Sequence, residues 1–302
     1  MSDNRIWLFD TTLRDGGQTR GVDFSKADKI AISAALDEIG VDYIEGGWPG
    51  ANPTDDAFFA ELPKTRTSRM VAFGMTRRGG RSTANDPGLN AVIGADVPAT
   101  CLVGKTWDFH VETAINTSLE ENLDMIRQSV AAAADRGHES MFDCEHFFDG
   151  YKNNPEYALA CVRAAHEGGA AWVILCDTNG GALPHEVFEI VSTVHETMPE
   201  VRLGIHCHND AGVAAANSLA AIRAGARQVQ GTINGLGERC GNADLITLIP
   251  TLVLKLGYDT GIAEENLPKL MGLSRMLDER LNRAPNAHAP YVGEAAFAHK
   301  RS

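Results

Sequence analysis

The feature that most constrains this chain is a repeat of form rather than of residues. An amphipathic helical stretch is followed by a glycine or short break, then by a short apolar run that ends in polar residues. The apolar runs are 6–10 (IWLFD), 42–47 (DYIEGG), 69–75 (RMVAFGM), 99–103 (ATCLV), 140–145 (SMFDCE), 172–177 (WVILCD), 202–208 (RLGIHCH) and 228–233 (QVQGTI). They alternate poorly between apolar and polar positions, as parallel strands covered on both faces should. Between them lie helical patterns. The first starts behind Ser25, a good N-cap residue, and others span 119–137, 155–169, 184–198 and 211–225. Gly40, Gly137, Gly168 and Gly225 stand where helix C-caps are expected. Eight strands alternating with helices over about 250 residues predict an α/β fold of the closed (β/α)8 (TIM) barrel type. An open doubly wound sheet is the alternative, but no GxGxxG follows the first strand, which argues against a dinucleotide-binding sheet. Residues 1–257 are read as the barrel. Residues 258–302 break the repeat and are read as a helical and turn-rich extension, the start of a further subdomain.

Composition narrows the partners. A net charge of −13 over 302 residues argues against a nucleic-acid or anionic-membrane surface. No apolar run approaches the roughly 20 residues of a spanning helix, and MSDNRIWLFD enters a strand too soon for a signal peptide. The six cysteines form no CxxC pair and are expected to be reduced thiols of a cytoplasmic protein.

In such barrels chemistry gathers where strands end. Asp10, Arg14 and Asp15 follow strand 1, Glu45 lies on strand 2, and Asp143 and Glu145 end strand 5. Asp177 and Thr178 end strand 6, and His206 and His208 end strand 7. The stretch after strand 8, NGLGERCGNAD, supplies Asn234, Gly235, Gly237, Glu238, Gly241 and Asn242. On a strand, residues i and i+2 point the same way, so His206 and His208 present two imidazoles to one point. With Asp15 and Asn242 from neighbouring positions they make a mixed nitrogen and oxygen shell suited to Mn, Mg, Zn or Co. Two histidines so spaced also occur as core or surface residues. The glycines at 46–47 are expected to serve a tight turn, and those at 235–241 the approach of an anionic ligand. The basic loop MTRRGGR (75–81) is read as solvated surface, with contact to a ligand's phosphates or to a neighbouring subunit as the alternative.

Several stretches together resemble one family. DTTLRDGGQ (10–18), YIEGGWPGANP (43–53), FDCEHFFDGY (142–151), CDTNGG (176–181), HCHND (206–210) and GTINGLGERCGN (231–242) are similar to the motifs of the DRE-TIM metallolyase superfamily. That superfamily includes the 2-isopropylmalate, homocitrate and citramalate synthases and the HMG-CoA lyases. With GKTWDFH (104–110) and YVGEAAFAHK (291–300), the resemblance is strongest to the (R)-citramalate synthase branch. It implies a divalent metal on Asp15, His206, His208 and Asn242. It implies that Arg14 contacts the substrate carbonyl, that Thr178 and Asp177 bind the 2-oxo acid, and that Glu145 and Glu45 serve acid–base or positioning roles. The loop of Asn234, Gly235, Gly237, Glu238 and Gly241 would approach coenzyme A.

The activity so implied is an acyltransferase reaction: condensation of acetyl-CoA with a 2-oxo acid, pyruvate foremost, in branched-chain amino-acid biosynthesis. A cytoplasmic homodimer is implied as well. Alternatives are 2-isopropylmalate or homocitrate synthase activity, retro-aldol or HMG-CoA lyase cleavage on the same metal, and a catalytically incomplete barrel with a binding role. Relatives of this kind continue past AFAHK into a glycine-rich stretch with another histidine and then a regulatory domain. This sequence ends at HKRS, so a shortened chain lacking that histidine is expected.

Overall fold

The computed structural model describes residues 4–299. The first residues of MSDNRIWLFD and the end of the 258–302 extension lie outside them. Eight strands close into one barrel in chain order, each parallel to its neighbours: β1 (Trp7–Asp10), β2 (Tyr43–Gly47), β3 (Arg69–Met75), β4 (Ala99–Lys105), β5 (Glu139–Glu145), β6 (Trp172–Asp177), β7 (Leu203–Cys207) and β8 (Gln228–Gly231). The expected (β/α)8 barrel is therefore the fold, and the open sheet is excluded. β1 and β8 close it, with Asp10 opposite Gly231.

Strand alternation divides the core in two. Phe9, Tyr43, Val71, Cys101, Met141 and Ile174 fill the barrel interior. Leu8, Ile44, Leu102, Phe142, Leu175 and Ile205 face outward against the helices. Residues one apart enter different clusters, which is the period-two rule applied to strands buried on both faces.

The helices are α1 (Lys26–Ile39), α2 (Pro53–Phe59), α3 (Pro87–Ile93), α4 (Asp108–Thr113), α5 (Leu119–Asp135), α6 (Phe147–Asn153), α7 (Pro155–Glu167), α8 (Pro184–Thr197), α9 (Ala214–Arg223), α10 (Leu245–Pro250) and α11 (Lys269–Arg280). Ser25 caps α1 in a reciprocal box with Asp28, and Gly40 ends it in the left-handed conformation at φ 102°. One expected cap shifts: Gly168 is right-handed and Gly169, at φ 90°, makes the left-handed turn. The helices α2, α3, α4 and α6 are too short to leave a readable period. The glycines at 46–47 also depart from expectation. They lie within β2 rather than in a tight turn, and a Cβ on Gly47 would fall 2.6 Å from the Asp55 carboxyl carbon. Asp55 accepts from the Trp48 amide at 2.9 Å and is ion-paired with the buried Lys29, so the missing side chain lets this pair hold Trp48 over the barrel mouth.

Asp37, on α1, anchors the loop entering β3: its carboxylate accepts from the amides of Arg66 (2.8 Å), Thr67 (2.9 Å) and Ser68 (2.8 Å). Burial pushes its pKa up, but the three amides outweigh that and hold it well below the usual carboxylate range. A carboxylate depressed in this way stabilises the fold fully above its unfolded pKa of about 4 and loses that contribution as pH falls. Asp37→Asn is expected to cost about 1.5–3 kcal/mol at neutral pH. Urea denaturation should show the gap from wild type closing below about pH 4; an unchanged gap at pH 3 would remove the carboxylate from the account.

After β8 the chain stays on the barrel. α11 packs against α1, where Arg280 donates to Asp28 at 2.7 Å. Among the described residues no helix is long and apolar enough to cross a membrane. Five cysteines are buried, Cys240 is exposed, and none is in a disulfide.

Candidate functional site at the barrel mouth

Where the strands end, a cavity of about 330 Å³ opens. It is lined by Arg14, Asp15, Gln18, Trp48, Phe73, Met75, Val103, Lys105, Asp143, Glu145, Cys176, Thr178, His206, His208 and Glu238. Strand ends expose backbone and side chains that no helix covers, so residues at or beyond the ends of all eight strands face one space, polar from most of them and Trp48, Phe73 and Met75 from the second and third.

At its floor Asp15 meets both imidazoles. Asp15 Oδ2 lies 3.2 Å from His206 Nε2 and 3.8 Å from His208 Nε2, and all three residues are buried. Asp15 Oδ1, His208 Nδ1 and the Asn242 side-chain oxygen are buried without a hydrogen-bond partner. Unpartnered buried polar atoms are costly. A divalent cation between Asp15 and the two Nε2 atoms would satisfy the free carboxylate oxygen, and this carboxylate and imidazole donor set fits the metal that the resemblance implies, with His208 Nδ1 left outside it. Asn242 is bridged to His208 through backbone pairing, and its amide nitrogen donates to Leu236 O at 3.0 Å, leaving the oxygen free. Burial would push Asp15 up, but Arg14, His206 and His208 overcome it and hold the carboxylate well below its usual range. Burial pushes His206 down, yet Asp15 outweighs this and raises it to about 9. Burial and the neighbouring His206 push His208 down to about 4.

Arg14 joins this floor to the barrel interior. Its Nε donates to Glu45 Oε2 at 2.6 Å, its Nη1 reaches to 3.9 Å from Asp15 Oδ2, and its guanidinium lies 3.8 Å from the centre of the Phe73 ring. Glu45 sits beneath with Asp143 and Cys101, and burial pushes both carboxyl groups up. On the rim, Glu145 Oε2 meets Lys105 Nζ at 2.6 Å. Thr178 lines the cavity, and its hydroxyl accepts from the His146 amide at 2.8 Å.

Other predicted residues sit elsewhere. The Asp177 carboxylate turns into its own loop and accepts from the amides of Gly181 (3.2 Å) and Ala182 (3.2 Å). Asn234 turns from the mouth to bind Ser274 and Asp278. Gly235 and Gly241 also lie outside the cavity, because the glycines of this loop are used in packing. A Cβ on Gly241 would fall 2.0 Å from Gly235 O, and one on Gly237 would fall 2.2 Å from the Asn242 amide nitrogen. Glu238 alone of that loop reaches the cavity.

Sequence reasoning missed Lys105, Trp48 and Gln230. The signals were a lysine ending strand 4, a tryptophan after strand 2 and a glutamine inside an apolar strand. The basic loop is only partly the solvated surface expected. Arg77 is buried and bonded to Glu121 at 2.6 Å, whereas Arg78 is exposed. Arg78 lines a second cavity of about 490 Å³ with Leu89, Ile115 and Met125, and this cavity shares Trp48, Met75 and Lys105 with the first.

The HMGL-like family matches residues 5–275. The chain is 52% identical over 298 residues to the (R)-citramalate synthase of Aquifex aeolicus, covering 98% of this chain and 56% of that protein. It is 49% identical over 304 residues to the (R)-citramalate synthase of a Synechocystis species, covering 98% and 55%. The chain thus spans about half the length of the curated relatives it matches. The crystal structure of hydroxymethylglutaryl-CoA lyase from Pseudomonas aeruginosa superposes with a TM-score of 0.78 at 21% identity, covering 93% of this chain and 95% of that one, a likeness of fold.

Proposed function

The chain belongs to the HMGL-like family, and from that premise we propose that its barrel catalyses the metal-dependent condensation of acetyl-CoA with pyruvate to citramalate and coenzyme A. The observation that carries this reading is the meeting of Asp15 with the Nε2 atoms of His206 and His208 in a cavity that also holds Arg14 and the Lys105–Glu145 pair. Relatives near 50% identity favour the citramalate branch over 2-isopropylmalate synthases, which match at about 35%.

Asp15, His206, His208 and Asn242 would hold the cation, of the Mn, Mg, Zn or Co class. When bound, it supplies Lewis-acid polarisation of the 2-oxo carbonyl. Arg14, clamped between Glu45 and the Phe73 ring, is aimed to donate to the oxygen that gains charge when the acetyl methyl carbon bonds to the keto carbon. Thr178, on the cavity wall, is the donor we assign to the 2-oxo acid's carboxylate. Glu145, with Lys105 as its counter-ion, is the group we assign to hold or move the methyl proton. Water then cleaves the thioester, releasing the thiol and the carboxylate of citramalate. The apolar second cavity, opening beside Lys105 with Arg78 on its wall, suits the thioester's long arm and an anionic end. The working assembly we propose is a homodimer, by the same resemblance.

A thiol-release assay with acetyl-CoA tests the reading. Release with pyruvate, dependent on added Mn²⁺ or Mg²⁺, is expected. Release with 2-oxoisovalerate or 2-oxoglutarate instead would move the chain to another synthase branch, and cleavage of a hydroxyacyl-CoA would make it a lyase. Gly237→Ala checks the part given to Asn242. The added methyl would displace that amide, and Mn²⁺ affinity should fall about 10–100-fold in calorimetry. Wild-type affinity in this variant would release Asn242 from the metal shell.

A further inference from the structure

Beside the two imidazoles lies a polar chain, ending at Asp143 on the cavity wall, that the proposed reaction does not use. His206 Nδ1 is 2.8 Å from Gln230 Oε1, and Gln230 Nε2 donates to Asp143 Oδ1 at 3.1 Å. All three side chains are buried, Gln230 completely. The strands bring them together: His206 and Gln230 are partners in the β7–β8 register, and Asp143 lies across the barrel on β5. A glutamine inside an apolar barrel is expensive unless both ends of its amide are bonded. Here both are.

An amide has a fixed polarity: its nitrogen only donates and its oxygen only accepts. Ionised, Asp143 only accepts, so its Oδ1 takes a donor, which turns the nitrogen of Gln230 toward it. The reverse orientation would set two acceptor oxygens 3.1 Å apart in a buried site. Gln230 Oε1 must then face His206, and an oxygen that only accepts requires a proton on Nδ1. With Nδ1 keeping its proton, Nε2, the atom that faces Asp15, is the nitrogen left to give up its proton and bind a cation.

We propose that Asp143 and Gln230 form a polarity relay that holds the Nδ1 proton of His206 and aims Nε2 as the metal-binding atom, making both of them positioning residues. This rests on the metal reading above for its purpose, though the relay itself is a property of the protein without metal. The general cost of losing such outer partners is about 10–100-fold in metal affinity.

The isosteric swap Q230E/D143N tests the relay. In the swap the introduced carboxylate accepts from His206 Nδ1–H and the introduced amide donates to that carboxylate, so the sense of the chain is kept. In Q230E alone two carboxyl groups oppose each other, and in Q230L the chain is cut. Two readouts are used. The first is the slowly exchanging Nδ1–H resonance of His206 in ¹⁵N-histidine-labelled, metal-free protein, identified by its loss in H206A. The second is the Mn²⁺ dissociation constant by calorimetry. Q230L should lose or broaden the resonance and bind Mn²⁺ about 10–100-fold more weakly; Q230E, which still offers Nδ1–H an acceptor, should keep the resonance; the swap should recover both signals lost in Q230L. Q230L with an intact resonance and wild-type affinity would overturn the relay. So would a swap that melts like wild type yet recovers neither signal, since that marks a merely structural role. Wild-type protein that shows the resonance but takes up no Mn²⁺ would overturn the metal reading while supporting the relay.

Discussion

The variant H206A/H208A is expected to fold, to retain no divalent metal after dialysis, and to release thiol at least about a thousandfold more slowly than wild type. The magnitude follows from the chemistry assigned to the cation. Lewis-acid stabilisation of a developing oxyanion is worth several kcal/mol, and about 1.4 kcal/mol is a tenfold change in rate. The fold should survive because neither imidazole belongs to the apolar clusters inside or outside the barrel wall. Both sit on the floor of the cavity, at or just past the end of β7. Asp15 keeps Arg14 as a neighbour when the imidazoles are gone, so no buried carboxylate is left without a cation. Elemental analysis of the dialysed variant, beside its melting curve and the thiol assay, checks all three parts. A double variant that held stoichiometric metal and turned over would dissolve the site.

Arg14→Ala should act on stability and chemistry together, and the two can be separated. Arg14 is the cation of Glu45, whose carboxylate is wholly buried and whose second oxygen has no partner. Burial already pushes Glu45 up, with Arg14 the main force holding it down. Removing one member of a buried ion pair costs about 3–5 kcal/mol, which in a protein of this size lowers Tm by roughly 5–10 °C. Loss of an oxyanion donor costs a further factor of about 10²–10³ in kcat. The variant R14A/E45Q removes the stranded carboxylate. It should regain most of the lost melting temperature and little or none of the lost rate. If rate returns with stability, Arg14 serves the fold alone. If R14A melts like wild type, the ion pair is not the support that its geometry indicates.

Much of the architecture was legible because it is written locally. Eight apolar runs between helical periods, with Ser25 and Gly40 capping the first helix, need nothing beyond neighbouring residues to be read. The pairing of His206 and His208 is local too, being a consequence of strand alternation. The short helices were invisible because one or two turns carry no period. The loop after β8 misled for another reason. Glycine density there signals close approach, and a sequence does not say whether the approaching group is a ligand or, as at Gly237 and Gly241, the protein's own Asn242 and backbone.

By itself, then, the sequence determined the closed barrel, the end of it that bears the polar residues, and the shared direction of its two strand-end histidines, since each follows from side-chain order along single elements. Only the tertiary structure decided which polar residues share the cavity. Asn234 and Asp177 are drawn into loop bonding, while Lys105 and Trp48 are brought in. Only it decided that a buried glutamine on β8 spans from an imidazole on β7 to a carboxylate on β5. The physical reason is ring closure. Strands far apart in the chain become neighbours across a shared interior, and there a polar side chain's partners are chosen by distance and by the need to satisfy every buried donor and acceptor.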